Sequence, residues 1–279
     1  MKKRVKIIEY PEYRGAFICK EGKAQTRLMI GVPMTGLLRS EWVMSRYSQI
    51  IPCNWSQVEL IQWVDQYSPL NFQVADARNV ITTEFVERGF EWLLFIDHDV
   101  ILPATFFSTM NEYMLSSKYP IVNGLYFTKS VPSEPLLYRG RGNSYFQDWK
   151  LGDKVWVDGC GLGASLIHKS IMKVMYDMSE EYSLGGGKRA RKIFDTPTRV
   201  FYDEETRSIH TASGTEDLEF YSNLIKRKVY EKAGWPSFQK RKWPVLVDTK
   251  QFCWHIDWDG NKFPMYGEIT PYLKIKKDK

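Results

Sequence analysis

Apolar residues along this chain fall into two patterns, short unbroken runs and stripes at helical spacing, and their alternation predicts an α/β fold. The clearest run is Trp92–Ile96, five large apolar residues that lead straight into Asp97-His98-Asp99. A run of that kind suits a strand covered on both faces of a parallel sheet. Residues 27–33, halted by Pro33 and followed by Thr35-Gly36, and residues 121–127 read as further strands. Helical spacing appears in Val74, Ala77, Ile81 and Phe85, closed by Gly89, and again in Phe106, Phe107, Met110, Tyr113 and Met114 after Pro103. Ser40 heads a helix over 41–51 with Trp42, Tyr47 and Ile50 turned inward, and Thr215 caps another over 216–230 with Leu218, Tyr221, Leu224 and Ile225 inward. Residues 55–67 fit either period and are read as a strand. Two short strands about Gly159, Gly161 and Gly163 precede a helix over 169–178. Residues 129–153 have no period and read as a long excursion at the binding edge, and residues 183–213 read as a long loop, functional or disordered, with Gly185-Gly186-Gly187 and the basic Lys188-Arg189-Ala190-Arg191-Lys192. The expected division is a peripheral lead-in over 1–25, a single catalytic domain over 26–258 and a basic C-terminal extension over 259–279.

Asp97 and Asp99 would stand at the carboxyl end of their strand, the edge where open α/β sheets bind ligands. On an extended chain both point to one side. Two anions that close repel unless a cation sits beside them, and Mn²⁺ or Mg²⁺ carrying a diphosphate suits hard carboxylate ligands. Alone, an Asp-X-Asp is also compatible with a solvated turn. Three other features bear on the same edge. Glu216 and Asp217, in the first turn of a helix, complement its dipole or serve as a general base. His255, in an apolar stretch, is a core residue or a metal ligand. Arg78 is an exposed helix-face cation or a diphosphate partner.

Composition adds a mild preference and several exclusions. Aromatic residues reach 15% with 10 Trp, which favours a sugar or nucleotide ligand. The net charge of +6 gathers at the two ends, which read as solvated tails, with peripheral contact to an anionic membrane surface left open and no nucleic-acid partner required. Cys19, Cys53, Cys160 and Cys253 form no Cys-X-X-Cys pair, so neither a zinc knuckle nor a disulfide framework is indicated. With no leader and no apolar segment of spanning length, a soluble, cytoplasmic protein is expected.

In order, Pro33-Met34-Thr35-Gly36, Ala77-Arg78-Asn79, Asp97-His98-Asp99, the glycine-rich 159–166, Glu216-Asp217 and a late His255 resemble a glycosyltransferase of the GT-A fold, a Rossmann-like nucleotide-diphospho-sugar transferase with a mostly parallel sheet flanked by helices. The nearest likeness is to the broad family 2-like group, from about residue 27 to 257. The resemblance implies a UDP- or GDP-sugar donor and Mn²⁺ or Mg²⁺ bound by Asp99, with Asp97 on the ribose or a metal-bound water and His255 as the late metal ligand. It implies Pro33, Thr35 and Gly36 bordering the base and Arg78 toward the phosphates. Gly161 and Gly163 would lie beside the transferred sugar and its acceptor, and Asp217, with Glu216, would supply the base of an inverting transfer. Residues 183–213 would be a lid over the acceptor, which is a glycan, a lipid-linked group or a protein. The Asp-Asp pair that often follows the second strand of such enzymes has no counterpart beyond Asp65, and no Arg-Trp follows Glu216-Asp217, which argues against a processive synthase. Haloacid-dehalogenase-like phosphatases and sugar nucleotidyltransferases are the competing enzyme classes, and a non-catalytic nucleotide- or sugar-binding module is the competing non-enzyme.

Overall fold

Trp92–Ile96 is buried at every position because it is the second strand of a six-stranded sheet. The computed structural model describes residues 8–10, 13–17, 28–52, 55, 72–140, 145–204 and 207–273. The sheet consists of β1 (Leu28–Gly31), β2 (Trp92–Ile96), β3 (Ile121–Leu125), β4 (Lys154–Val157), β5 (Ala164–His168) and β6 (Val245–Phe252), in spatial order β1-β2-β5-β3-β6-β4. Helices α1 (Ser40–Tyr47), α2 (Val74–Glu87), α3 (Phe106–Ser116), α4 (Lys169–Asp177) and α5 (Glu216–Lys226) flank it.

The protein is therefore α/β, but the expected mostly parallel sheet is corrected to a mixed one. Only β1 with β2 and β3 with β6 pair in parallel, while β5 runs against both β2 and β3, and β4 against β6. An unbroken apolar run reports that both faces of a strand are covered and carries no information about its neighbours' direction. The glycine-containing stretch before β5 brings that strand in between β2 and β3 without the crossover helix that a parallel insertion needs.

Side chains alternate along β2. Leu93 and Phe95 enter one apolar cluster with Ile81 and Phe85 of α2 and Met172 of α4, whereas Trp92, Leu94 and Ile96 enter a second with Trp42 of α1 and Phe106 and Phe107 of α3. Gly31 lets α2 lie close on the sheet, because a Cβ there would collide with Ile81 and crowd Phe95.

Several expected elements are revised. In α1 Trp42 is buried, but Tyr47 and Ile50 are exposed. Residues 183–213 are not a structureless loop. Glu181–Ser183 pairs with Arg189–Arg191 across the triple glycine, and Thr198–Asp203 pairs with Ser208–Ser213. The strand expected at 55–67 lies outside the described residues except for Trp55, which is buried against Phe107. Beyond residue 258, Lys262–Phe263 pairs with Trp254–Ile256 and Tyr272 stacks on Trp149 at 4.1 Å. In the lead-in, Ile8–Tyr10 and Tyr13–Phe17 form a hairpin. Among the described residues no helix is long and apolar enough to cross a membrane.

At the start of α4, His168 accepts a hydrogen bond from the Ser170 backbone N–H and packs edge-on to Trp92. Burial, with Lys169 adding to it, pushes its pKa down to about 4. The unfolded chain, with an ordinary imidazole near ~6.5, takes up that proton first, so stability is intact above about pH 6.5 and falls as the pH drops toward about 4. We expect a loss of about 1–2 kcal/mol across that window, after discounting for partial exposure. Urea midpoints measured through it should flatten in His168→Asn, which keeps a capping acceptor. An unchanged slope would remove His168 as the cause.

Candidate functional site

Where β2 ends, the backbone of the acidic motif is fixed from three sides. Asp97 N–H donates to the Gly163 carbonyl at 3.0 Å, Trp42 Nε1 donates to the Asp97 carbonyl at 2.8 Å, and His98 Nδ1 donates to the Pro33 carbonyl at 3.0 Å. Val100 N–H also turns back to the Asp97 carbonyl at 3.1 Å. The segment is thus a turn and not the extended chain expected, and the two carboxylates engage different partners.

Asp97 turns inward. Its Oδ2 accepts from Arg78 Nη2 at 2.9 Å, and the same guanidinium lies 3.4 Å from Glu216 Oε1 and 3.7 Å from Asp217 Oδ1. Arg78 is 1% exposed and its Cζ lies 5.1 Å over the Phe95 ring. Its charge is directed to Asp97, Glu216 and Asp217, and its Nη1 is buried without a hydrogen-bond partner among the described residues. Three acids around one cation leave a surplus of negative charge. Burial raises the pKa of Asp97 and raises that of Asp217 well above the usual range, and neighbouring acids add to this against the opposing pull of Arg78. Burial would lower the pKa of Arg78, but the acids hold its proton and raise it. Asp97 Oδ1 and Asp217 Oδ1 are buried without a hydrogen-bond partner among the described residues.

Asp99 turns outward, to Lys129 through Oδ2 and to His255 Nε2, 3.5 Å from Oδ1. Burial would raise its pKa, but His255 and Lys129 outweigh it and hold the carboxyl well below the usual range. His255 Nδ1 donates to the Phe127 carbonyl at 2.8 Å, so the protonated ring donates from Nε2 to Asp99, and the neutral ring has its lone pair on Nε2. That tautomer is the one a metal ligand needs. Among the described residues no group of three or more His, Cys, Asp or Glu side chains is placed to hold a metal ion. Asp99 Oδ1 and His255 Nε2, 3.5 Å apart, are two donors of the kinds that Mn²⁺ or Mg²⁺ takes.

Both acids border one cleft of ≈ 200 Å³, whose walls also include Pro33, Thr35, Phe72 and Ala77. The structure thus brings the loop after β1, through Pro33 and Thr35, to the acidic motif. Gly36 is not part of that lining; its φ of 107° turns the loop. Gly161 and Gly163 are buried, and a side chain at either would overlap the Tyr126 hydroxyl, which accepts from Gly163 N–H at 2.8 Å. A Cβ at Gly163 would also meet Asp97 Oδ2 at 2.7 Å. Their first requirement is therefore room for Tyr126 and Asp97.

Sequence reasoning missed Tyr126, Lys129 and the part played by Asn79. Asn79 Oδ1 accepts from Ile193 N–H at 2.9 Å and Phe194 N–H at 2.8 Å, which ties the segment leading toward α5 to α2. Its position beside Arg78 in a helix was the available signal, since a buried Asn needs partners. Lys129 lies in a stretch without period and carried no signal.

No protein-family model matches the chain, and no curated protein matches it. Among solved structures it is similar to the crystal structure of A197 from STIV, at 17% identity over 83% of this chain and 86% of that one, with a TM-score of 0.47. A likeness of that size carries neither fold nor function across.

Proposed function

We propose that the protein is a metal-dependent GT-A glycosyltransferase that moves a sugar from a UDP- or GDP-sugar to an acceptor hydroxyl with inversion. The observation that supports this best is the convergence, at one sheet edge, of a cleft lined by Pro33, Thr35, Asp97 and Asp99 with the Arg78–Glu216–Asp217 cluster and His255. Asp99 and His255 would hold the metal, and when bound it would neutralise charge on the departing diphosphate. Lys129, and not Arg78, is the partly exposed cation at the motif, so it is assigned to the phosphates. Arg78 fixes Asp97 and Asp217 relative to each other. Asp217, whose burial raises its affinity for a proton, takes the acceptor's hydroxyl proton.

A thermal-shift panel of UDP, GDP, CMP and dTDP, each with Mn²⁺, Mg²⁺ or EDTA, tests the donor site. One nucleotide family should raise the midpoint with metal and lose the effect in EDTA and in Asp99→Asn, by up to about 2.7 kcal/mol at a hundredfold excess over Kd. In Lys129→Met, metal alone should bind more tightly, because Asp99 loses its competing cation, while nucleotide binds about tenfold more weakly. No shift with any nucleotide would overturn the reading.

A further inference from the structure

A second cavity, of ≈ 540 Å³ and so roomier than the cleft at Asp97, lies beside the first turns of α5. Thr215, Leu218, Glu219, Ser222 and Ile225 of that helix and its cap form one wall, and Tyr138, Asp158 and Gly159 form another. Arg241 and Lys242 close its rim. Two of the parts that build it also build the acidic cluster. Gly214 and Thr215, which line it, immediately precede Glu216 and Asp217. Gly159 lies four residues before Gly163, whose carbonyl accepts from Asp97 N–H, so roughly 13 Å of extended chain separates the cavity from the cleft.

Its chemistry is specific. Asp158, Glu219, Arg241 and Lys242 contribute two charges of each sign, yet among the described residues none of the four forms an ion pair with another. Asp158 accepts from the Gly140 backbone N–H at 2.7 Å. The Arg241 guanidinium is held 4.2 Å over Trp156 and 5.1 Å over Phe238, and Lys242 lies 4.8 Å over Trp243. Two charges of each sign leave the lining without a net charge that would select a simple anion or cation. They offer separate donors and acceptors to a neutral guest with several hydroxyls. Tyr138, Tyr221, Leu218 and Pro197 supply the apolar and aromatic surface that covers the C–H face of such a guest.

We infer that this cavity binds the carbohydrate portion of the acceptor. The assignment of that guest as acceptor rests on the glycosyl-transfer reading; the carbohydrate site itself does not.

The test is saturation-transfer NMR on the full chain with glucose, galactose, mannose and N-acetylglucosamine, each at about 10 mM so that even a Kd near ~1 mM is saturated. Glu219→Gln and Arg241→Met remove charge at exposed or half-exposed positions, with thermal melts confirming that each variant is folded. At least one sugar should receive transfer in the wild type and lose at least about fivefold of it in both variants, while metal-dependent nucleotide shifts stay unchanged. No transfer to any sugar, or transfer insensitive to both substitutions, overturns the inference. So does loss of the sugar signal on adding inorganic phosphate, which would mark an anion site. Sugar binding without any nucleotide shift keeps the carbohydrate site and removes the transferase reading; nucleotide shifts without sugar binding do the reverse.

Discussion

Arg78→Met should lower the unfolding free energy by about 3–5 kcal/mol, the size expected when one partner of a buried ion cluster is removed and the other is left uncompensated. For a chain of this length that corresponds to a fall in Tm of roughly 10 °C. The expectation rests on a fully enclosed guanidinium that faces Asp97, Glu216 and Asp217 at 2.9, 3.4 and 3.7 Å. The deficit should shrink as the pH falls. Arg78 pulls the pKa values of Asp97 and Asp217 down, so without it they rise further, and the variant gains more stability than the parent as those carboxyls take up protons. Asp97→Asn added to Arg78→Met should restore part of the loss by removing one uncompensated charge. Calorimetry showing the single variant within about 2 °C of the parent would rule out a balanced buried cluster.

Asp217→Asn should reduce kcat by about 10²–10⁴-fold, the usual contribution of a positioned general base, while nucleotide and metal still bind. The substitution also removes one acid from a cluster with three acids and one base, so Tm should stay level or rise. A loss of activity accompanied by a lower Tm would point to structural damage. A rate within about threefold of the parent would remove Asp217 from the proton transfer.

What the sequence disclosed about this architecture was burial, and what it withheld was direction and pairing. The runs at Leu28–Gly31, Trp92–Ile96 and Ile121–Leu125 and the stripe of α2 were legible because the hydrophobic period survives whatever packs against it. The antiparallel entry of β5 was not, since an apolar strand looks alike in either orientation. The hairpins within 181–213 were hidden by short strands, with the triple glycine drawing attention to flexibility when it forms a turn. At the site, Asp97, Asp99 and Asp217 could be picked out because carboxylates at a sheet edge or after a helix cap are chemically conspicuous. The identity of their counter-ions could not. Arg78 and Lys129 are both basic residues near an acidic motif, and only the packing of α2 against β2 decides that one is enclosed and the other reaches solvent.

The reversed direction of β5 has one further effect. Because β5 enters the sheet at the edge where β2 leaves it, residues 159–163 cross from the outer cavity to Asp97 along backbone that is bonded at both ends, by Gly159 to Tyr138 and by Gly163 to Asp97. The two recesses are therefore joined by a short segment that is paired at both ends. On the carbohydrate-acceptor proposal, that span would set how far a guest seated in the outer recess reaches toward Asp97, and so the length of acceptor that is used.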